Sequence, residues 1–282
     1  MDLEIFLIIA EEAELPALSA LMRTNSRIYS GIVEYEQSIC KSRMQRYMLP
    51  PSCDVVCTRT PEREVYPRFS LDTIGELERR QKRIASIVNH NILSANSTIS
   101  EECRSRYVAG LERALHMCDH ILDLSNQDSE RKAQVEYIKT LSTVDLAFLF
   151  ETAWMGSVGW ARSRGADAAT DPDYLHKMLA FEELVLRQGS VFLWGLTQGS
   201  DKFYKHSIRQ MEMVAAEIHD WEFNNGPKLP SLRLAVVYTF VDKKKCTLAN
   251  FTQHMAAIVE REIKGPLPPA GKEVIKGNYQ QT

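Results

Sequence analysis

The chain has 282 residues, 44% hydrophobic and 25% charged, enough to bury a sizeable core in one large or two small domains. A formal charge of −3 and a pI near 6.2 give no global pull towards nucleic acid or anionic lipid. Every apolar run is far shorter than the roughly 20 residues of a membrane span, so neither nucleic acid nor a membrane is an expected partner.

The first expected element is a short helix buried on most of its surface. Leu3 to Ala10 is almost wholly apolar, and the chain then turns acidic at Glu11, Glu12 and Glu14. This stretch lacks the basic start and small-residue cleavage site of a secretory signal. Pro16 suits a first helical turn, where its missing N–H needs no partner. It opens a second helix in which Leu18, Leu21 and Met22 recur at i, i+3 and i+4. Thr24, Asn25 and Ser26 are cap and turn formers. Ile28, Tyr29, Ile32, Val33, Tyr35, Glu36 and Ile39 then fit a third helix with a mixed face.

These three helices carry a resemblance. Glu4-Ile5-Phe6 and Ile8-Ile9 resemble the first helix of an F-box, and Leu15, Leu18 and Leu21 resemble its second. Thr24-Asn25-Ser26-Arg27 and Tyr29 sit where its third helix begins. Leu21-Met22-Arg23-Thr24 and the later Arg59-Thr60-Pro61-Glu62-Arg63-Glu64 are similar to a set of fungal F-box-like proteins. The resemblance implies an interaction protein without catalytic residues or cofactor. Its N-terminal helices would dock on a Skp-type adaptor, and the rest would recruit a protein substrate for ubiquitination. Leu3, Ile5, Phe6, Ile8, Leu18 and Leu21 are the matched positions expected to form the partner-binding site. The same leucine spacing also fits an ordinary helical hairpin of the core.

The expected organisation is all-α: an F-box-like module over residues 1–48, a proline-containing linker over 49–69, a larger helical domain over 70–264 and a flexible tail over 265–282. The linker holds Pro50, Pro51, Pro61 and Pro67 without helical periodicity. Ser70 is a candidate cap for a helix whose stripe is Leu71, Ile74, Leu77, Ile84, Ile87 and Val88, ending near Asn89. Ser100-Glu101-Glu102 starts another, with Tyr107, Val108, Leu111, Leu115, Cys118, Ile121 and Leu122 on its apolar face.

Ser125 to Ser129 is a polar break, followed by a helix over Glu130 to Leu141. Thr143 leads into a helix reaching Trp154, loosened afterwards by Gly156, Gly159 and Gly165. Asp171-Pro172-Asp173 reads as a helix start with an aspartate cap, and that helix is expected to carry past Gly189 into Leu193. Another helix spans about Asp201 to Trp221 and stops at Asn224-Asn225-Gly226-Pro227. Ser231 opens Leu232 to Val241, which fits a helix although its β-branched content also allows a strand. The last helix covers about Leu248 to Ile263. No period of 20 to 50 residues repeats, which excludes kelch, WD40 and leucine-rich platforms.

Six cysteines without a secretory signal imply reduced thiols and a cytoplasmic or nuclear setting, where Asn96-Ser97-Thr98 has no glycosylation role. Candidate chemistry is sparse. His116 and His120 lie four apart on one helical face, a spacing that suits zinc, with Cys118 or Asp123 nearby, yet the pair lacks the intervening glutamate of a metalloprotease. Cys53 and Cys57, with Cys103 or Cys118, form only one closely spaced pair. Asp171 with Asp173, and Asp119 with Asp123, are thinner than the paired acidic motifs that hold magnesium. Gly156 and Gly159 make no phosphate loop, and no Gly-x-Ser-x-Gly elbow occurs. Lys243-Lys244-Lys245, beside Arg233, suits a helix C-terminus. No metal site is therefore expected. Trp154, Trp160, Trp194 and Trp221, with Phe148, Phe150, Phe192 and Tyr204, read as core. Their other reading is a groove for a small molecule, as in an enzyme or accessory protein of a fungal biosynthetic pathway.

Overall fold

The computed structural model describes residues 3–59, 63–90, 100–127, 129–163, 171–198, 200–223 and 229–265. Twelve helices run through these residues. The first three are α1 (Leu3–Glu12), α2 (Leu15–Thr24) and α3 (Ser26–Met44). After a hairpin of β1 (Val55–Arg59) and β2 (Arg63–Pro67) come α4 (Leu71–Val88), α5 (Glu101–Leu124), α6 (Lys132–Thr140) and α7 (Thr143–Ser163). The series closes with α8 (Tyr174–Gln188), α9 (Ser190–Thr197), α10 (Asp201–Phe223), α11 (Leu232–Lys244) and α12 (Phe251–Lys264). The fold is all-α apart from that one small antiparallel pair.

At the centre of the body lies α7, packed against α5, α8, α11 and α12. Leu146, Ala147, Leu149, Ala153 and Trp160 leave it buried almost all round, as expected for a helix apolar on every side. The Phe181 ring meets Phe192 edge-on at 5.1 Å and lies 6.1 Å from Trp160. Phe148, Phe150, Trp160, Phe181 and Phe192 are therefore core, and Trp154 is exposed on the surface.

The N-terminal module closes around Phe6, Ala10, Leu18, Ile32 and Ile39. It is joined to the body by a smaller cluster in which Cys40 and Met44 of α3 meet Ile74 and Leu77 of α4. Arg43, buried at this junction, donates from Nη1 to the carbonyls of Ala13 at 2.6 Å and Ala10 at 3.1 Å, and its Nη2 lies 3.6 Å from Glu78. One guanidinium thus satisfies the orphan carbonyls at the end of α1 and ties that end to α4. Glu36 of α3 also accepts the Leu71 N–H at 2.8 Å, fixing the start of α4.

Several local expectations are met. Ser70 caps α4 by accepting the Thr73 N–H, Ser100 caps α5 through Cys103, and Ser231 caps α11 through Leu234. Leu232–Lys244 is a helix, which settles the strand alternative. Lys243 donates to the Leu141 carbonyl at 2.7 Å.

Four expectations need correction. The segment over 49–69 holds a hairpin, with Val55 opposite Pro67 and Arg59 opposite Arg63. Helix α7 runs through Gly156 and Gly159 to Ser163, and a Cβ at Gly156 would sit 2.8 Å from the Phe181 ring. That glycine serves close packing. Asp171 does not cap α8: its side chain accepts the Asp173 N–H at 3.0 Å and pairs with Lys177 at 2.6 Å, and the helix starts at Tyr174. Finally, the helix does not pass Gly189. That residue has φ +64°, and a Cβ there would lie 2.1 Å from the Asp119 carboxylate. Asp119 accepts the Ser190 N–H at 2.7 Å and its hydroxyl at 2.9 Å, so α9 starts afresh under a buried acid.

The Asn96-Ser97-Thr98 triplet, Gly165, the stop at Asn224 to Pro227, and residues 266–282 of the expected tail lie outside the described residues.

Candidate functional site

The six matched positions divide sharply. Phe6 and Leu18 are in the module's interior, where the Phe6 ring lies against Gly31 of α3. Leu21 is half-buried. Leu3 begins α1, and its side chain lies outside the described residues. Ile5 and Ile8, by contrast, are 53% and 61% exposed. Ile9, at 39%, joins them.

Helical geometry explains the split. Phe6 and Ala10 are four apart and face the core. Ile5, Ile8 and Ile9 recur at i, i+3 and i+4 on the opposite side, forming a continuous apolar row towards water. On α3, Tyr29 and Val33 are four apart and about half exposed. Single exposed apolar residues are normal on any protein. Here three isoleucines share one side of a ten-residue helix, and a second exposed apolar pair lies in the same module. Ile9, Tyr29 and Val33 were not in the sequence-derived set. The signal that finds them is helical phase relative to Phe6 and Ile32.

The residues that suggested chemistry are mostly structural. Asp123 accepts a bidentate pair of bonds from Arg80 at 2.7 and 2.9 Å, and its Oδ1 also accepts the Cys57 N–H at 2.9 Å. Arg80 also donates to the Cys57 carbonyl at 2.7 Å. A two-stranded hairpin alone is marginal in water. Here one buried ion pair satisfies both backbone groups of a β1 residue and locks the hairpin to α4 and α5. Asp119 caps α9, as described, so these two acids have structural duties and do not face a common metal.

Glu183 plays the same part for α11. It accepts the Leu232 and Arg233 N–H groups at 3.2 and 3.0 Å, the Ser231 hydroxyl at 2.8 Å and Arg187 Nε at 2.8 Å. Burial by itself would raise its pKa. The Arg187 charge and these hydrogen bonds outweigh burial and hold it below the ordinary glutamate value.

His116 and His120 share a cleft of about 830 Å³ between the end of α3, α4, α5 and α6. The His120 ring lies 4.6 Å from the Tyr137 ring, and its Nε2 is hydrogen-bonded with Ser52 Oγ at 3.1 Å. Burial pushes both imidazoles below the ordinary histidine value. Cys118 points the other way, into the main core. Among the described residues, no group of three or more His, Cys, Asp and Glu side chains could hold a metal ion. Burial raises the Cys53 thiol to about 11 and the Cys40 thiol to about 12, opposite to what an activated nucleophile needs. No helix among the described residues is long and apolar enough to cross a membrane.

No protein-family model matches the chain, and neither a curated protein nor a solved structure matches it.

Proposed function

We propose that this chain is a non-enzymatic interaction protein, an F-box-type substrate receptor. Its N-terminal module docks on a Skp-type adaptor of a cullin-RING ubiquitin ligase in the cytoplasm or nucleus. Its helical body recruits a protein substrate. The observation that carries this reading is the exposed row Ile5, Ile8 and Ile9 on α1, presented by a module whose interior is already filled by Phe6, Leu18 and Ile32. Those interior residues set the helices; the isoleucines are left for a partner.

The proposed docking face is apolar, and charge borders its C-terminal end at Glu11, Glu12 and Glu14. Such an arrangement suits an interface with a desolvated core and polar rim. The test is co-purification of the full chain with a recombinant Skp-type adaptor, beside a standard F-box protein as positive control. Retention of the adaptor by the wild-type chain supports the reading. Its absence, with the control retained, refutes it.

A further inference from the structure

A second cleft, of about 540 Å³, opens between the hairpin, α4, α9 and α10. One wall is apolar, built from Val191, Trp194 and Phe203. The Trp194 and Phe203 rings meet edge-on, 5.0 Å apart at 81°. The facing wall is a turn of α4 that carries Arg79, Lys82 and Arg83. Tyr66 of β2 also lines it.

The charges in the lining do not cancel. Glu76, buried, is engaged by Arg79 at 2.9 Å and Arg83 at 2.6 Å, with Arg80 a further 3.5 Å away. Glu64 accepts the Tyr66 hydroxyl. Among the described residues of the lining, two carboxylates therefore face three cations, and one of the carboxylates is shared with Arg80 as well. Among the described residues Lys82 has no carboxylate within ion-pair distance, and the Arg83 Nε–H is buried without an acceptor. Positive charge is thus left over at the rim of an aromatic wall, in a space of the size that encloses small organic ligands.

We propose that this cleft binds a small amphipathic organic anion, its ring or short acyl body against Trp194 and Phe203 and its oxyanion head at Lys82 and Arg83. A low-dielectric wall strengthens the attraction between head and cations. A neutral body of the same shape gains only the aromatic contact. Among the described residues, none of α1, α2 or α3 lines the cleft, so this site stands or falls separately from adaptor docking.

The test is fluorescence titration of the full chain with 1-anilinonaphthalene-8-sulfonate and with its neutral parent, N-phenyl-1-naphthylamine. Near-UV circular dichroism confirms native packing throughout. The expected result is saturable one-to-one binding of the sulfonate, about tenfold tighter than the neutral probe and weakened by salt. Lys82→Glu, on an exposed side chain that makes no ion pair, lowers sulfonate affinity about tenfold and leaves the neutral probe within about twofold. Phe203→Ala weakens both probes. Equal affinity for the two probes, absence of saturable binding, or a Lys82→Glu variant that binds the sulfonate as tightly as wild type overturns the proposal.

Discussion

The N-terminal module and the helical body solve the same problem with opposite charges. In the body, buried carboxylates meet the N–H ends of helices: Asp119 at the start of α9 and Glu183 at the start of α11. In the module, Arg43 is the only buried charge among the described residues, and it meets the carbonyl end of α1. Both choices follow the helix dipole. The difference lies in redundancy. Body helices α5, α7 and α8 are surrounded by neighbours, whereas α1 packs chiefly on α3 and turns Ile5 and Ile8 to water. A helix so placed is free to carry an interface, and it depends more heavily on one anchor.

The largest effect is expected where two charges are buried together. Asp123→Ala leaves the Arg80 guanidinium without its bidentate partner and strips Cys57 of its N–H acceptor. A loss of about 3 to 5 kcal/mol is expected, read from chemical denaturation. A loss under 1 kcal/mol would show that the hairpin is not locked through this pair.

Arg43→Leu comes next and distinguishes the two regions. It frees the Ala10 and Ala13 carbonyls at a cost of about 1 to 3 kcal/mol, and the effect should be local. Hydrogen exchange should lose protection in α1 and retain it in α8. Equal loss in both helices would mean that the module and body unfold as one unit.

Glu183→Gln sharpens the comparison through pH. Because the Glu183 pKa is lowered in the folded state, its stabilisation is complete above the ordinary glutamate value of about 4.3 and fades as pH falls through the folded value. The variant should be about 1 to 3 kcal/mol less stable at pH 7. The gap should narrow once pH drops below about 4. A gap that is constant from pH 7 to 3 would show that the carboxylate's charge is not what holds α11.

The smallest effect concerns backbone strain. Lys245 ends α11 in the left-handed region at φ +54°, with its side chain exposed. Lys245→Gly should stabilise by about 0.5 to 1 kcal/mol, visible as a raised melting temperature.

The parts legible in sequence were those set by neighbours along the chain. Ser70, Ser100 and Ser231 announce helix starts because the cap and its target are three residues apart. The stripes of α4 and α5 give their buried faces for the same reason. What stayed hidden was set across space. The break at Gly189 depends on Asp119, 70 residues earlier, and the hairpin depends on Arg80 and Asp123 reaching Cys57. Pro67 masked the hairpin, although both strands of a two-stranded sheet are edges, where proline is tolerated. Within the candidate site, leucine spacing located the three helices but could not separate Phe6 and Leu18, which hold the module, from Ile5 and Ile8, which face water. That separation needs the phase of α1 on α3.

The central claim is that α1 presents a docking face for a Skp-type adaptor. Isothermal titration of the full chain with that adaptor, using wild type and an Ile5→Asp/Ile8→Asp variant, tests it most directly. Both side chains are exposed, so the variant should melt within about 0.5 kcal/mol of wild type. One-to-one binding by wild type, weakened about thirtyfold or more in the variant, is the predicted result, the scale of an interface hot spot. No heat with wild type where a standard F-box protein binds, or equal affinity for the variant, would contradict it.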